Sequence, residues 1–487
     1  MQISPFDFGI VLIYLAGITA FGARFRRSQQ TLRDYFLGGR QAPWWALACS
    51  IVATETSTLT IIGTPGIAYA GNLGFLQLVL GYLLARVILC VVLIPQYFQE
   101  EFYTAYQLLG KRFGPRMKAA AALVFLGTRA LAEGVRISAI GKVVSVAFGT
   151  GDRFSIAIVT ALTMFYTLEG GMRAVIWTDV IQFTLYITGA LAALFLLLHK
   201  IPGGWTEVAR SAAAAGGKLR VFDFAFSLTR SYTFWSGMIG GTFLTMASHG
   251  TDQTMVQRLL AARGERDAKK ALLASGVIVF IQFALFLILG VMLFVYAQHA
   301  VLPVPGGDAD RAFPEFVVRN MPVGLTGVVL ASIFAIAMSN ASGSLNSLAS
   351  SSIIDLTHRS DAASERQSLR KSKKMTLAWG VVLGLLGLVR WGPVLVAGLT
   401  VASVTYGSLL GVFLLGTWNR RANENGALAG FLVGIATMVA IAFLTPLAFT
   451  WYVVVGTLVT FASGSFVSSL ARTPPKARWQ PQANARS

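Results

Sequence analysis

Apolar stretches long enough to cross a lipid bilayer alternate with short polar links along the 487 residues. About 20 helical residues span the hydrocarbon core, because each adds roughly 1.5 Å. Thirteen such segments are read, over 6–23, 44–68, 72–98, 117–148, 153–171, 174–199, 233–256, 271–298, 322–356, 374–391, 393–416, 426–445 and 448–470. The runs are too long and too uniformly apolar for barrel strands, so helices are predicted. Asp7 precedes most of the first segment, and Arg24, Arg26 and Arg27 follow it. That charge order reverses a secretory signal and predicts a retained first span.

Composition agrees. Hydrophobic residues make up 55% of the chain and charged residues only 13%, about half the charge of a soluble protein. One membrane domain is therefore expected. The net charge of +19 sits mostly in alternate links, as the positive-inside rule requires, and does not indicate nucleic acid. An outside N-terminus puts Arg24 to Arg40, Lys111 to Lys118, Arg173, Arg258 to Lys270, the run Arg359 to Lys374, Arg420 and Arg421 on the cytoplasmic side. The C-terminus is then cytoplasmic too, and the external links 200–232 and 299–321 are roughly neutral. A multi-pass inner (cell) membrane protein is the expectation.

Several functions are disfavoured. There is no GxxxxGK[ST] phosphate loop, and no link is long enough for a nucleotide domain. His199, His249, His299 and His358 are scattered and form no metal pair, and no catalytic triad is visible. Cys49 and Cys90 both lie in apolar segments, which suits core packing. The chain is thus expected to be no enzyme, to carry no cofactor and to need no obligatory protein partner. Its partners would be the bilayer, a small solute and the ion whose gradient drives it.

Polar residues interrupt the apolar pattern at a few places. The second segment contains Ala53-Thr54-Glu55-Thr56-Ser57-Thr58-Leu59-Thr60, then Gly63-Thr64-Pro65-Gly66. A carboxylate at mid-membrane costs roughly 2.5–3.5 kcal/mol on insertion scales, so Glu55 is a functional candidate. The hydroxyls and the Gly/Pro pair favour a broken helix whose freed carbonyls can ligate a cation. The bland alternative pairs Glu55 with an arginine. In the ninth segment Ser339, Ser342 and Asn346 share a helical face; small residues also serve close packing, but a stripe of oxygens suits a hard cation such as sodium. In the fourth, Arg129, Glu133 and Arg136 make one charged face, either a self-neutralising network or an anchor for a carboxylate. Asp179 either caps the sixth segment or serves an ion path.

These features, in order, resemble the sodium/solute symporter family, which includes the sodium/proline, sodium/glucose and sodium/sialic acid transporters. The resemblance rests on Asp34-Tyr35-Phe36-Leu37-Gly38-Gly39-Arg40, Gly63-Thr64-Pro65-Gly66, the Gly170-Gly171 turn before Trp177-Thr178-Asp179, Asp252-Gln253 leading to Gln257-Arg258, and the Ser-rich ninth segment ending near Asp355. It implies an all-α membrane protein of about 13 transmembrane helices. Its core would be two inverted five-helix repeats, 44–199 and 233–416, joined by the external link 200–232. One extra span (1–43, with its link) would precede them and two (417–470) follow, before a cytoplasmic tail at 471–487. The short tail disfavours a solute sensor with a signalling extension.

The resemblance also implies sodium-coupled symport by alternating access. The main sodium site falls on Ala53, Thr56, Ile336, Ser339 and Asn340, where Asn340 replaces the usual Ser or Thr. A second-ion set matches at Asp179 and Ser342 but lacks a hydroxyl at Gly343, so one tightly coupled sodium is expected. Substrate positions fall on Glu55, Ser57 and Thr60, with Gln77, Arg129 and Asp252 as further candidates. A carboxylate-bearing or zwitterionic solute is the leading expectation. A neutral sugar comes next, and a uniporter lacking ion coupling is a further alternative.

Overall fold

A computed structural model of the chain describes residues 4–25, 30–148, 152–302, 304, 309–356, 365–389 and 394–470. The expected tail at 471–487 and the start of the basic run after Arg359 lie outside the described residues. Among the described residues the secondary structure is helical, with only an isolated bridge between Ala42 and Ala262.

The principal helices are α1 (Pro5–Ala23), α2 (Trp44–Glu55), α3 (Thr58–Ala70), α4 (Leu76–Val92), α5 (Pro115–Phe148), α6 (Asp152–Lys200), α7 (Gly241–Gly250), α8 (Gln253–Leu260), α9 (Glu265–His299), α10 (Leu325–Ser351), α11 (Glu365–Gly387), α12 (Val394–Trp418), α13 (Glu424–Leu444) and α14 (Phe449–Leu470). Six are long and apolar enough to cross a membrane, counting only the Gly171–Lys200 part of α6 and extending α10 to Leu356. The pair α2–α3, bent by 63°, makes a seventh. Two other expected spans fall below that measure for different reasons: α4 is apolar but has only 17 residues, and α5 carries Arg129, Glu133 and Arg136.

Three discontinuities shape the interior. The first separates α2 from α3 at Thr56 and Ser57. Ser57 starts α3 with a capping box: its hydroxyl accepts the Thr60 amide, and Thr60 Oγ1 accepts the Ser57 amide, both at 3.2 Å. The Ser57 amide would otherwise serve the Ala53 carbonyl in the i,i+4 ladder. The second divides α6 at Gly171, whose φ of 52° and ψ of −156° no helix accommodates. A Cβ there would sit 2.8 Å from the Tyr35 carbonyl oxygen, so only glycine fits. The third separates α7 from α8 at Thr251 and Asp252, with Asp252 Oδ1 accepting the Thr254 amide at 2.8 Å as the N-cap.

The most enclosed of these membrane-spanning helices is α10. Its span is 89% buried, against 28% for α13. It packs against α1, α5, α6 and α11, and its Ala, Ser and Gly content is what lets helices approach it from so many sides. The outward faces of α13 and α14 carry large apolar side chains such as Leu432, Phe443 and Phe466, as a lipid-facing surface does.

Candidate functional site

Glu55 is the last residue of α2 and its side chain lines the interior beside the break. Its Oε2 accepts from Arg86 Nη2 at 2.5 Å and lies 3.4 Å from His249 Nε2. Arg86 is buried and fully employed: Nε donates to Ser275 Oγ at 3.3 Å, Nη1 to the Tyr82 carbonyl at 3.2 Å, and Nη2 also lies 3.2 Å from His249 Nε2. The bland expectation for Glu55, an arginine partner, is thus met. Yet Glu55 still faces a cavity of about 300 Å³, at the lower end of small-molecule pockets.

That cavity gathers most of the predicted substrate residues. Glu55, Ser57 and Thr60 line one wall, Arg129 and Arg136 of α5 another, and Asp252 and His249 a third. Aromatic rings of Phe75, Tyr82, Tyr232, Phe283 and Phe449 complete it; Phe75 stacks on Phe283 at 5.1 Å and meets Tyr232 at 5.4 Å. Gln77 is not among the lining residues. Its amide ties α4 to the link over 200–232, donating to the carbonyls of Gly74 (3.1 Å) and Tyr232 (3.2 Å) and accepting the Asp223 amide (2.9 Å).

The charged face on α5 forms the expected self-neutralising network. Arg136 Nη1 sits 3.2 Å from Glu133 Oε2, and Ser344 of α10 joins the network by donating to that oxygen at 2.9 Å and accepting from Arg129 Nε at 2.9 Å. Arg129 Nη2 nevertheless has no hydrogen-bond partner and lies 3.8 Å from Glu133 Oε2. A buried guanidinium with an idle donor at a cavity wall is arranged to receive an anion. Opposite, Asp252 Oδ2 accepts from Tyr406 at 3.0 Å.

The predicted ion ligands lie behind this wall. Thr56 and Ile336 converge through Asn340, whose Nδ2 donates to their carbonyls at 2.9 and 3.0 Å. Ser339 Oγ donates to Asp179 Oδ1 at 2.6 Å, and Ser342 Oγ donates to the Ser339 carbonyl at 3.0 Å. The helix-cap reading of Asp179 is corrected: the residue lies eight positions beyond the Gly171 kink, inside a continuous helix, and bonds to side chains. Its Oδ2 accepts from Ser50 at 2.5 Å and from Arg258 Nη2 at 3.1 Å. Gly343 is what admits Arg258, since a Cβ there would stand 2.6 Å from Nη2. Among the described residues no three His, Cys, Asp or Glu side chains converge as a metal group.

The face of α10 carrying Asn346 turns toward α8. Gln257 donates to Asn346 Oδ1 at 2.7 Å, Thr254 pairs with Ser347 at 2.9 Å and Gln253 donates to Ser350 at 3.1 Å. Sequence reasoning missed this use of the serine stripe, as it missed Arg86, His249 and Tyr406. Arg86 had a signal, an ionisable residue in mid-segment. His249 and Tyr406 had none, because partners 194 and 154 residues away define them.

The family model for the sodium:solute symporter family matches residues 35–434. The chain is 30% identical to the sodium/sialic acid symporter SiaT of Proteus mirabilis, over 96% of this chain and 97% of that one. It is 31% identical to the sodium/sialic acid symporter NanT of Aliivibrio fischeri, over 93% and 90%. A solved structure of a Na+-coupled sialic acid symporter in its substrate-bound outward-open state superposes with a TM-score of 0.90 at 28% identity, covering 97% of this chain and 99% of the other.

Proposed function

We propose that this chain, which belongs to the sodium:solute symporter family, couples sodium entry to the uptake of a carboxylate-bearing small solute by alternating access. The observation that carries the reading is Arg129, a buried guanidinium with an unpartnered Nη2 at the wall of a 300 Å³ cavity. A planar fork of donors matches a carboxylate. Glu55, Ser57, Thr60 and Asp252 would receive the hydroxyl, amide or ammonium groups of the same solute, and the aromatic rings its apolar face. The two relatives named above transport sialic acid, a sugar bearing a carboxylate, which makes that compound the first to try. Gln77 would act by holding the external link.

Sodium would bind at the first helix break, through the carbonyls of Ala53, Thr56 and Ile336 and the side-chain oxygens of Ser339 and Asn340. Freed carbonyls at a break suit a hard cation. At Asp179 the Arg258 guanidinium already supplies a positive charge, which favours one coupled sodium and gives Asp179 and Ser342 a supporting role. The thirteen-span layout, with inverted repeats at 44–199 and 233–416 in the cell membrane and the N-terminus outside, completes the proposal.

Uptake of radiolabelled sialic acid into proteoliposomes tests it. An inward sodium gradient should drive accumulation and a potassium gradient should not. Ser339→Ala should raise the sodium concentration for half-maximal uptake. Accumulation indifferent to sodium would sink the coupling. If sialic acid is not carried, a panel of carboxylates scored by sodium-dependent thermal stabilisation identifies the solute; stabilisation by neutral sugars alone would overturn the carboxylate assignment.

A further inference from the structure

Asn340 is allocated oddly for a buried amide. Only 2% of it is exposed. Its Nδ2 is saturated, with one hydrogen for the Thr56 carbonyl at 2.9 Å and one for the Ile336 carbonyl at 3.0 Å. Its Oδ1 is buried and has no partner. A buried amide ordinarily uses both ends. Here the donor end does all the bonding and the acceptor end none.

The carbonyls it holds explain why. Thr56 caps the C-terminal end of α2, where the ladder stops and unpaired carbonyls accumulate partial negative charge. Ile336 belongs to α10, and its carbonyl meets the Asn340 amide four residues on. The amide nitrogen draws oxygens from two separate elements to one point, which is what a small cation does. Turning the amide by half a rotation would set Oδ1 against both carbonyls at about 3 Å. Three oxygens that close repel one another unless a cation lies among them.

We infer that Asn340 is a built-in surrogate for the coupling ion, with two alternative amide orientations. In one, Nδ2 bridges Thr56 and Ile336 and holds the first break together without an ion. In the other, Oδ1 joins those carbonyls as a ligand of sodium. The orientations exclude each other, because both use the same oxygens and the same space. The inference rests on the sodium reading above and adds two consequences. Sodium must displace two hydrogen bonds, so it binds more weakly than it would beside a hydroxyl, which has one hydrogen and cannot bridge both carbonyls. The ion-free protein also keeps the α2–α3 break ordered.

The test uses the purified full chain and sodium itself as probe. Melting temperatures are measured in choline chloride, replaced stepwise by NaCl or KCl at constant ionic strength, for wild type, Asn340→Ser and Asn340→Thr. Asn340→Ser should melt lower than wild type in choline. Its half-saturating sodium should fall about tenfold, since fewer hydrogen bonds compete with the ion. Asn340→Thr, which also offers a single hydroxyl hydrogen, adds no charge and fills more of the amide's volume, should shift the sodium midpoint the same way even if the serine variant folds poorly. Unchanged midpoints in both variants, with wild type still responding to sodium over potassium, would overturn the surrogate role and leave the sodium site standing. No sodium response in any of the three proteins would overturn the sodium reading, and the surrogate with it.

Discussion

The two interrupted helices meet the same cavity with different chemistry. At the α2–α3 break the groups are neutral: Ser57 and Thr60 cap each other's backbone, and an amide holds the Thr56 carbonyl. At the α7–α8 break a carboxylate does the capping, and a tyrosine hydroxyl occupies its second oxygen. A neutral break leaves carbonyl lone pairs that a cation can share. A charged break adds a full negative charge, which a low-dielectric interior tolerates only when it is held by fixed donors. The comparison teaches that one architectural device, an interrupted helix, presents neutral oxygens or a carboxylate to a cavity according to which residue closes it.

The sharpest way to break this contrast is to remove the one charge beside the neutral break. Glu55→Ala would leave Arg86 buried with only His249 and neutral groups beside it. Orphaning one member of a buried pair typically costs about 3–5 kcal/mol. A large fall in melting temperature is expected, and the double variant Glu55→Leu with Arg86→Leu should recover much of it. A single variant as stable as wild type would show that the pair contributes little.

Arg129→Gln is expected to weaken carboxylate binding by about ten- to a hundredfold, the value of a charged hydrogen bond of roughly 1.5–3 kcal/mol. Its melting temperature without solute should also fall, because the Nε bond to Ser344 and a positive charge beside Glu133 are lost, so affinities are compared on the folded variant. Equal losses of affinity for carboxylate and neutral analogues would remove Arg129 from its assigned role.

Caps give smaller effects that sharpen the comparison. Asp252→Ala should destabilise by up to about 2 kcal/mol, whereas Asp252→Asn, which still caps, should lose less than half of that. If the Asn variant is stable but does not transport, the charge at the second break serves the solute and the cap serves the fold. Ser57→Ala should cost about 1 kcal/mol, and Ser57→Gly only a few tenths. A transport defect in Ser57→Gly with unchanged stability would place the Ser57 hydroxyl on the solute.

Much of this was legible in the order of residues. The run from Ala53 to Thr60 breaks its helix because hydroxyls compete for backbone amides and Ser57 is a strong cap. Gly171 bends α6 because its combination of φ 52° with ψ −156° suits glycine alone and a Cβ would strike the Tyr35 carbonyl. The grouping of Glu55, Ser57, Thr60, Arg129 and Asp252 about one cavity followed from family resemblance, whereas Gln77 bonds to Asp223 and Tyr232 instead. Less legible were residues whose meaning depends on a distant partner. His249 read as one scattered histidine, yet it completes the Glu55–Arg86 cluster.

What the sequence determined alone is the set of apolar lengths, the punctuation of the helices and the rarity of charge within them. Those properties are local: they follow from the transfer cost of each residue and from the backbone preferences of Gly, Pro, Ser and Thr. Tertiary structure alone decided which end of Asn340 faces two carbonyls, that Arg258 reaches Asp179 past Gly343, and that Arg129 keeps an idle donor. Each depends on groups more than 75 residues apart in the chain meeting where water is excluded. There an unpaired donor or acceptor is costly enough to fix the orientation of its neighbours.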